Sequence, residues 1–411
     1  RQAQAQAEAV NLFLQDMLTS ADPSEEGRDV KVIEVLDQAA AHIEQDFADH
    51  PTNMAAVLYT LGQTYSSLGE FTRAHELISS ALDIRQQDMG AEHPETLEAR
   101  YGLGGVIIEQ GQYEEAEALI RATLETQRRV LGADHQQTLS SLNELGITEM
   151  RLGHEEEAEK LLRSVLEARM RTLGADHRST VGTRGNLAMV LRRIGNYAEA
   201  DELNRDVLEI HSQVFGAEHP ETIRVRVNLA SVLMSRAAYE EAAELNRENM
   251  EISARVYGEE HPQTLIAIGN LAVALNRQGK HAEAVTLLRH AVQVSQRVQG
   301  EDHPFTLNVL GALANALRNL GEYGEGETIS RDHLKVMQRV NGPEHPRTLS
   351  AMQGLSTVLL AQGKFAEAEP VIRDTVELRA RVLGEEHPHT LAVMAILADT
   401  MSDLGRHRKA E

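Results

Sequence analysis

Histidine recurs every 42 residues in this chain, at His93, His135, His177, His219, His261, His303, His345 and His387. Imidazole binds metals and carries protons near neutral pH, so a regular series of histidines could serve metal or acid–base chemistry. The spacing argues against both. Each histidine sits in its own copy of a seven-residue junction, Gly-x-Asp/Glu-His, usually then Pro, with Thr three residues after the His, as in Gly258-Glu-Glu-His261-Pro262-Gln-Thr264. With one histidine per stacked unit, neighbours stand roughly two helix diameters of about 10 Å each apart, too far to share one ion. The histidines therefore read as junction residues, and no metal site is expected. No His-Glu-x-x-His pair occurs, and His387-Pro388-His389 is a doublet split by proline.

Other catalytic signatures are missing too: the sequence has no Gly-x-Ser-x-Gly elbow, no phosphate-binding glycine loop and no His-Arg-Asp catalytic loop. We therefore expect no catalytic residues, no cofactor and no enzyme within these 411 residues. The chain has no Cys, which excludes disulfides and thiolate metal sites without selecting a compartment. A net charge of −23 argues against nucleic acid, which needs an extended basic face, and serves solubility. No basic amphipathic helix suggests a membrane surface, and no apolar run is long enough to span a bilayer, so direct membrane contact is not expected.

A strict 42-residue period means stacked supersecondary units rather than one globular core. Hydrophobic residues make up 42% of the chain and aromatics only 3%, and the repeats are rich in Leu, Ala, Glu, Gln and Arg, which favours helices. Each unit predicts two of them: Pro262 to Gln278, a hairpin Gly279, then His281 to Gln299 before Gly300. Proline suits a first helical turn, a polar residue before it can cap a free amide, and glycine suits a left-handed helix end. Leu271, Ala274 and Leu275 on the first helix, and Ala284, Leu287 and Leu288 on the second, have the spacing of buried stripes. Acidic runs such as Glu114-Glu115 and Glu155-Glu156-Glu157 open second helices, where negative charge complements the helix dipole.

Leu103-Gly104, the hairpin Gly111, Tyr113 and Ala116 stand at the spacing of tetratricopeptide (TPR) repeats, and Leu61-Gly62, Gly69, Phe71 and Ala74 repeat it. HEAT and armadillo repeats have nearby periods, but this residue pattern selects TPR. The 42-residue unit with its Asp/Glu-His-Pro junction resembles kinesin light chains and their bacterial relatives. The resemblance covers Thr52 to Glu411, eight complete units and part of a ninth. It implies an all-α, right-handed superhelical solenoid of antiparallel helix pairs over 52–411, preceded by a helical linker or cap over 1–51. Three departures stand out: Ala237 replaces the hairpin glycine, His281 the aromatic, and Gly326 the small alanine. Gly324 and Gly326 make the helix from Tyr323 to Val340 the expected soft spot.

Ahead of the repeats, Gln2 to Thr19 predicts a helix with a stripe at Val10, Phe13, Leu14 and Leu18, a loop follows over Asp22 to Gly27, and Val30 to Phe47 resumes helix. This segment resembles the linker after the membrane helix of bacterial serine/threonine kinases with carboxy-terminal TPR arrays. The resemblance implies a kinase upstream and a soluble fragment of a membrane-anchored bacterial protein. Arg1 in place of Met, and an end at Glu411 where the second helix of a ninth unit has just begun at Arg406, fit a fragment.

A solenoid of this kind binds through its concave face, which its first helices line. In the TPR register the Asn before the Leu-Gly/Ala pair faces that groove, giving Asn186, Asn228 and Asn270. In the resembled families that Asn bonds the backbone of a bound peptide, and an amide supplies both donors and an acceptor for the purpose. Asn315 lies one turn beyond Ala312, which holds this position in the next unit. Arg192 and Arg193, Asn276 and Arg277, and Arg318 and Asn319 stand near the ends of their first helices, with Arg224 at the start of another. Such a basic lining favours an acidic or carboxylate-terminated peptide, since Arg grips carboxylates bidentately. Two plainer roles compete: the amides could bond a neighbouring repeat, and the cations could complement helix dipoles. The expected function is a non-catalytic protein–protein interaction scaffold that recruits or senses partners for a kinase. The sensor array of a signalling ATPase and a self-assembly scaffold are the alternatives.

Overall fold

A computed structural model of the chain describes residues 32–47 and 49–410. The predicted helix Gln2 to Thr19 and the loop after it lie outside the described residues. By contact the chain divides into two units, residues 1–203 and 204–411, each a stack of helix pairs.

In the first unit, α1 (Val32–Asp46) precedes three pairs: α2 (Pro51–Ser67) with α3 (Phe71–Met89), α4 (Pro94–Glu109) with α5 (Tyr113–Val130), and α6 (Gln136–Leu152) with α7 (Glu155–Leu173). Next come α8 (Arg178–Ile194) and α9 (Tyr197–Phe215), within which the division falls. The second unit continues with α10 (Pro220–Ser235), α11 (Tyr239–Tyr257), α12 (Pro262–Arg277), α13 (His281–Val298), α14 (Pro304–Leu320), α15 (Tyr323–Asn341), α16 (Pro346–Ala361), α17 (Phe365–Leu383) and α18 (Pro388–Ala410). No strand occurs among the described residues, and no described helix is long and apolar enough to cross a membrane. Helix bounds agree with the sequence reading to within about two residues, as helix assignments commonly do.

The junction residues each perform a defined task. The glycine closes the second helix with a positive φ, as at Gly258 (98°) and Gly300 (97°). The histidine then caps the next first helix: its Nδ1 accepts the amide of the residue two further on, 3.2 Å from Gln263 N at His261 and 3.2 Å from Phe305 N at His303. Threonine ties the turn shut by donating its hydroxyl to the glycine carbonyl, 2.7 Å from Thr264 to Gly258 and 2.9 Å from Thr306 to Gly300. These contacts occupy the histidines in capping, which accounts for their period without a ligand.

Within each pair the helices approach closely because small residues face each other. Ala74, Ala116, Ala158, Ala200, Ala242, Ala284 and Ala368 are fully buried in the first turn of their helices. A Cβ on Gly62 would fall 2.5 Å from Ile78 Cγ1, so α2 and α3 need that glycine at their crossing. At α1, Leu36 and Ile43 join the core of the first pair, and the Tyr65 hydroxyl donates to Asp37 Oδ1 at 2.7 Å.

Two hairpin positions behave differently from the rest of the array. Ala237 adopts φ 62°, the only non-glycine with positive φ among the described residues, because the hairpin it replaces requires a left-handed residue. Gly405, at the hairpin position of the ninth unit, does not turn: α18 runs unbroken to Ala410. The expected second helix beginning at Arg406 is thus corrected to a continuation of the first. Extending an existing helix needs no new nucleus, whereas a hairpin followed by a second helix does.

Arginines on the second helices form two ladders. One joins the last turn to the junction acid of the same repeat, as in Arg255–Glu218 at 2.7 Å, Arg297–Glu260 at 2.5 Å and Arg381–Glu344 at 2.6 Å. The other joins successive second helices, as in Arg205–Glu241 at 2.5 Å, Arg247–Glu283 at 3.0 Å and Arg289–Glu325 at 2.6 Å. Each exposed pair is worth at most about 1 kcal/mol, so the ladders chiefly set register.

Candidate functional site

In the second unit, α14 touches the neighbouring first helices α12 and α16, and two cavities open along these three helices. The smaller, of about 230 Å³, brings together Asn276, Arg277, Asn315, Arg318 and Asn319, five of the residues expected from sequence. Three amides there form one network. Asn276 Oδ1 accepts from Asn319 Nδ2 at 3.1 Å and lies 2.7 Å from His281 Nδ1; Asn315 Oδ1 accepts from Asn276 Nδ2 at 3.4 Å and from Asn319 Nδ2 at 3.2 Å. His281, anomalous as a replacement for the TPR aromatic, thus gains a partner in the groove amides. Arg318 Nε is buried without an acceptor, and neither Arg277 nor Arg318 has an ion-pair partner among the described residues.

The remaining expected residues are distributed differently. Asn186 is half-buried and donates to Asn143 Oδ1 at 3.3 Å, bonding the preceding first helix. Asn228 and Asn270 are half-buried and make no side-chain hydrogen bond among the described residues. Arg193 is held by Glu155, 2.6 Å away, and pulls that carboxyl below its usual range; Arg224 pairs with Glu221 on its own helix at 2.6 Å. Arg192 is half-buried and has no partner among the described residues.

The larger cavity, of about 410 Å³, lies between α14 and α16 over α15, and shares Gly311 and Asn315 with the smaller one. None of Asn308, His333, Arg347 and Gly354 on its wall was singled out from sequence. His333 is 9% exposed, no partner reaches its Nε2, and burial pushes its pKa down. A signal existed: the equivalent positions 42 residues apart hold Ala81, Thr123, Val165, Val207, Asn249, Ala291 and Thr375, all smaller than histidine. Arg347 is exposed and also lacks an ion-pair partner among the described residues. No described group of three or more His, Asp or Glu side chains is placed to hold a metal ion. The site offers amides, guanidinium groups and apolar wall, which suit binding.

A model of the tetratricopeptide repeat matches residues 95–171, 179–248, 223–292, 266–323, 310–379 and 358–411, and a second matches 59–129. The chain belongs to the tetratricopeptide repeat family. Among solved structures, this TPR array is similar to a kinesin light chain-type protein of Podosopora anserina with nearly identical TPR-like repeats, at 29% identity over 50% of this chain and 98% of that one, TM-score 0.47. It shares its fold with the apo quorum sensor NprR of B. thuringiensis, at 12% identity over 92% of this chain and 99% of that one, TM-score 0.64. It shares it also with a Rap protein complexed with competence and sporulation factor, at 12% identity over 86% and 99%, TM-score 0.53. No curated protein sequence matches significantly.

Proposed function

We propose that this TPR array is a non-catalytic interaction scaffold that holds a carboxylate-rich peptide segment in the groove lined by α12, α14 and α16. One observation carries the reading: Arg277, Arg318 and Arg347 line this groove with no carboxylate partner among the described residues, in a chain of net charge −23. Acids are abundant, and the second-helix ladders show that arginines here pair readily with them. Guanidinium groups left open beside an amide network favour an incoming carboxylate and peptide backbone. The fold shared with NprR and Rap is compatible with a ligand in such a groove, although at 12% identity it supports the fold alone.

The sequence resemblance of the segment before the repeats supplies a context, recruitment or sensing of partners for a membrane-anchored bacterial serine/threonine kinase whose catalytic domain lies outside these residues. Sequencing the full gene tests it, and a coding region without a kinase domain removes it.

Fluorescence anisotropy with a labelled glutamate-rich peptide tests the groove. Binding should weaken with salt, as exposed charge pairing does, and the double variant Arg277→Glu/Arg347→Glu should abolish it. Unchanged affinity in that variant would sink the reading.

A further inference from the structure

The repeats themselves reveal what fits between neighbouring first helices. Counted along the 42-residue period, Tyr59, Gly269 and Gly311 are equivalent, as are Gly102 and Gly354, and Phe305 and Arg347. Between α2 and α4 the gap is filled by the Tyr59 ring, which lies against Gly102: a Cβ there would come 2.9 Å from ring Cε2 and 3.0 Å from the hydroxyl. Between α12 and α14 it is filled by Phe305, whose ring stands 3.8 Å from where a Cβ on Gly269 would be.

Between α14 and α16 neither first helix supplies a ring; the nearest is the His333 imidazole of α15, whose Cε1 would lie 3.1 Å from a Cβ on Gly311. The position of Tyr59 is Gly311, that of Gly102 is Gly354, and that of Phe305 is Arg347. A Cβ on Gly354 would meet nothing within 4 Å, and the 410 Å³ cavity opens there. Its wall carries the buried His333 imidazole, which makes no hydrogen bond among the described residues. A buried polar group without a partner in the chain calls for one from outside it, whether water or a ligand group.

We propose that this cavity receives the tyrosine side chain of a bound peptide, with the ring where Tyr59 and Phe305 lie in the equivalent gaps and the hydroxyl on His333. The inference rests on the reading of the groove as a peptide site and adds the residue it selects. With Gly354 open on one wall of the cavity and His333 on another, there is room for a flat ring, and an aliphatic side chain would leave the imidazole unpaired. A phenol both donates and accepts, so it pairs with either tautomer of the ring. Exposed Arg347 and Asn308 at the rim remain available for the flanking acidic residues and backbone.

Anisotropy on the whole chain with four labelled glutamate-rich peptides, differing only in a central Tyr, Phe, Leu or Ala, tests the proposal. A second probe, p-cresol alone, is followed through the His333 ring signals by NMR. Tyr should bind about tenfold tighter than Ala, the ratio typical of a buried anchor, with Phe between them, and p-cresol should shift the His333 signals. Both effects should vanish in Gly354→Phe, which fills the cavity from an exposed helical position; circular dichroism checks that this variant stays folded. Four equal affinities, or Leu equal to Tyr, would overturn the tyrosine pocket and leave the acidic-peptide reading standing. If p-cresol shifts His333 and no acidic peptide binds, the pocket stands and that reading falls.

Discussion

Gly311 and His333 face each other across the α14–α15 contact so closely that a Cβ on the glycine would lie 3.1 Å from the imidazole Cε1. The glycine makes room for a histidine at a position where every other repeat carries a smaller side chain. Burial keeps this ring neutral, so its pKa in the folded chain lies below the ordinary value. As pH falls through about 6.5, the ordinary histidine value, the unfolded chain takes up a proton at this residue and the folded chain does not. Stability contributed here is therefore full above that pH and declines below it. Urea melts of wild type and His333→Gln from pH 8 to pH 5 should show wild type losing more stability on acidification. Parallel pH profiles would contradict the buried neutral imidazole.

Ala237 pays for a left-handed turn with backbone strain. Substitution Ala237→Gly should stabilise the second unit by about 1 kcal/mol, since the left-handed conformation costs a non-glycine residue roughly that much. A raised thermal midpoint is expected, and a lowered one would mean that the alanine methyl packs better than its φ of 62° suggests.

Removing a junction imidazole should expose its helix. His303→Ala deletes the acceptor of the Phe305 amide and should cost about 1 kcal/mol, while His303→Asn should restore most of it, because Asn is a strong cap. Thermal melts of the two variants distinguish a cap from a ligand role, which Asn would not rescue so generally.

Two glycines in equivalent kinds of crossing should respond in opposite directions to alanine. At Gly326 the new methyl would meet Ala314 O and Leu317 Cβ at 3.5 Å, ordinary contact, so Gly326→Ala should gain about 0.5–1 kcal/mol in helix propensity. At Gly62 it would collide with Ile78 at 2.5 Å, and Gly62→Ala should cost about 1–3 kcal/mol through overpacking. Denaturation midpoints of both variants provide the comparison. Hydrogen exchange of α15 in wild type and Gly326→Ala would also test whether that helix is the soft spot its glycines suggest.

Much of the fold was legible in sequence because its signals are local. Gly258, His261 and Thr264 lie within seven residues and close one turn, so their spacing alone identifies the junction. The groove was harder to read because its outcome depends on side chains about one repeat away. Nothing near Arg193 reveals that Glu155 neutralises it, and nothing near Asn186 reveals Asn143. Asn276, Arg277, Asn315, Arg318 and Asn319 line one cavity. The larger cavity went unnoticed because it is made by what Gly311, Gly354 and Arg347 lack, visible only when they are set against Tyr59, Gly102 and Phe305. The continuation of α18 through Gly405 was missed because a turn residue permits a hairpin without requiring one.

The two arginine ladders make the array insensitive to its own copy number. If residues 220–261 were excised, Arg205 would lose Glu241 but meet Glu283 in its place, and Arg297 would exchange Glu260 for Glu218. Every tie across the splice would find an acid at the same height. A gene encoding this chain can therefore shed or duplicate whole 42-residue segments without breaking either ladder, and the length of the array can drift while these seams stay closed.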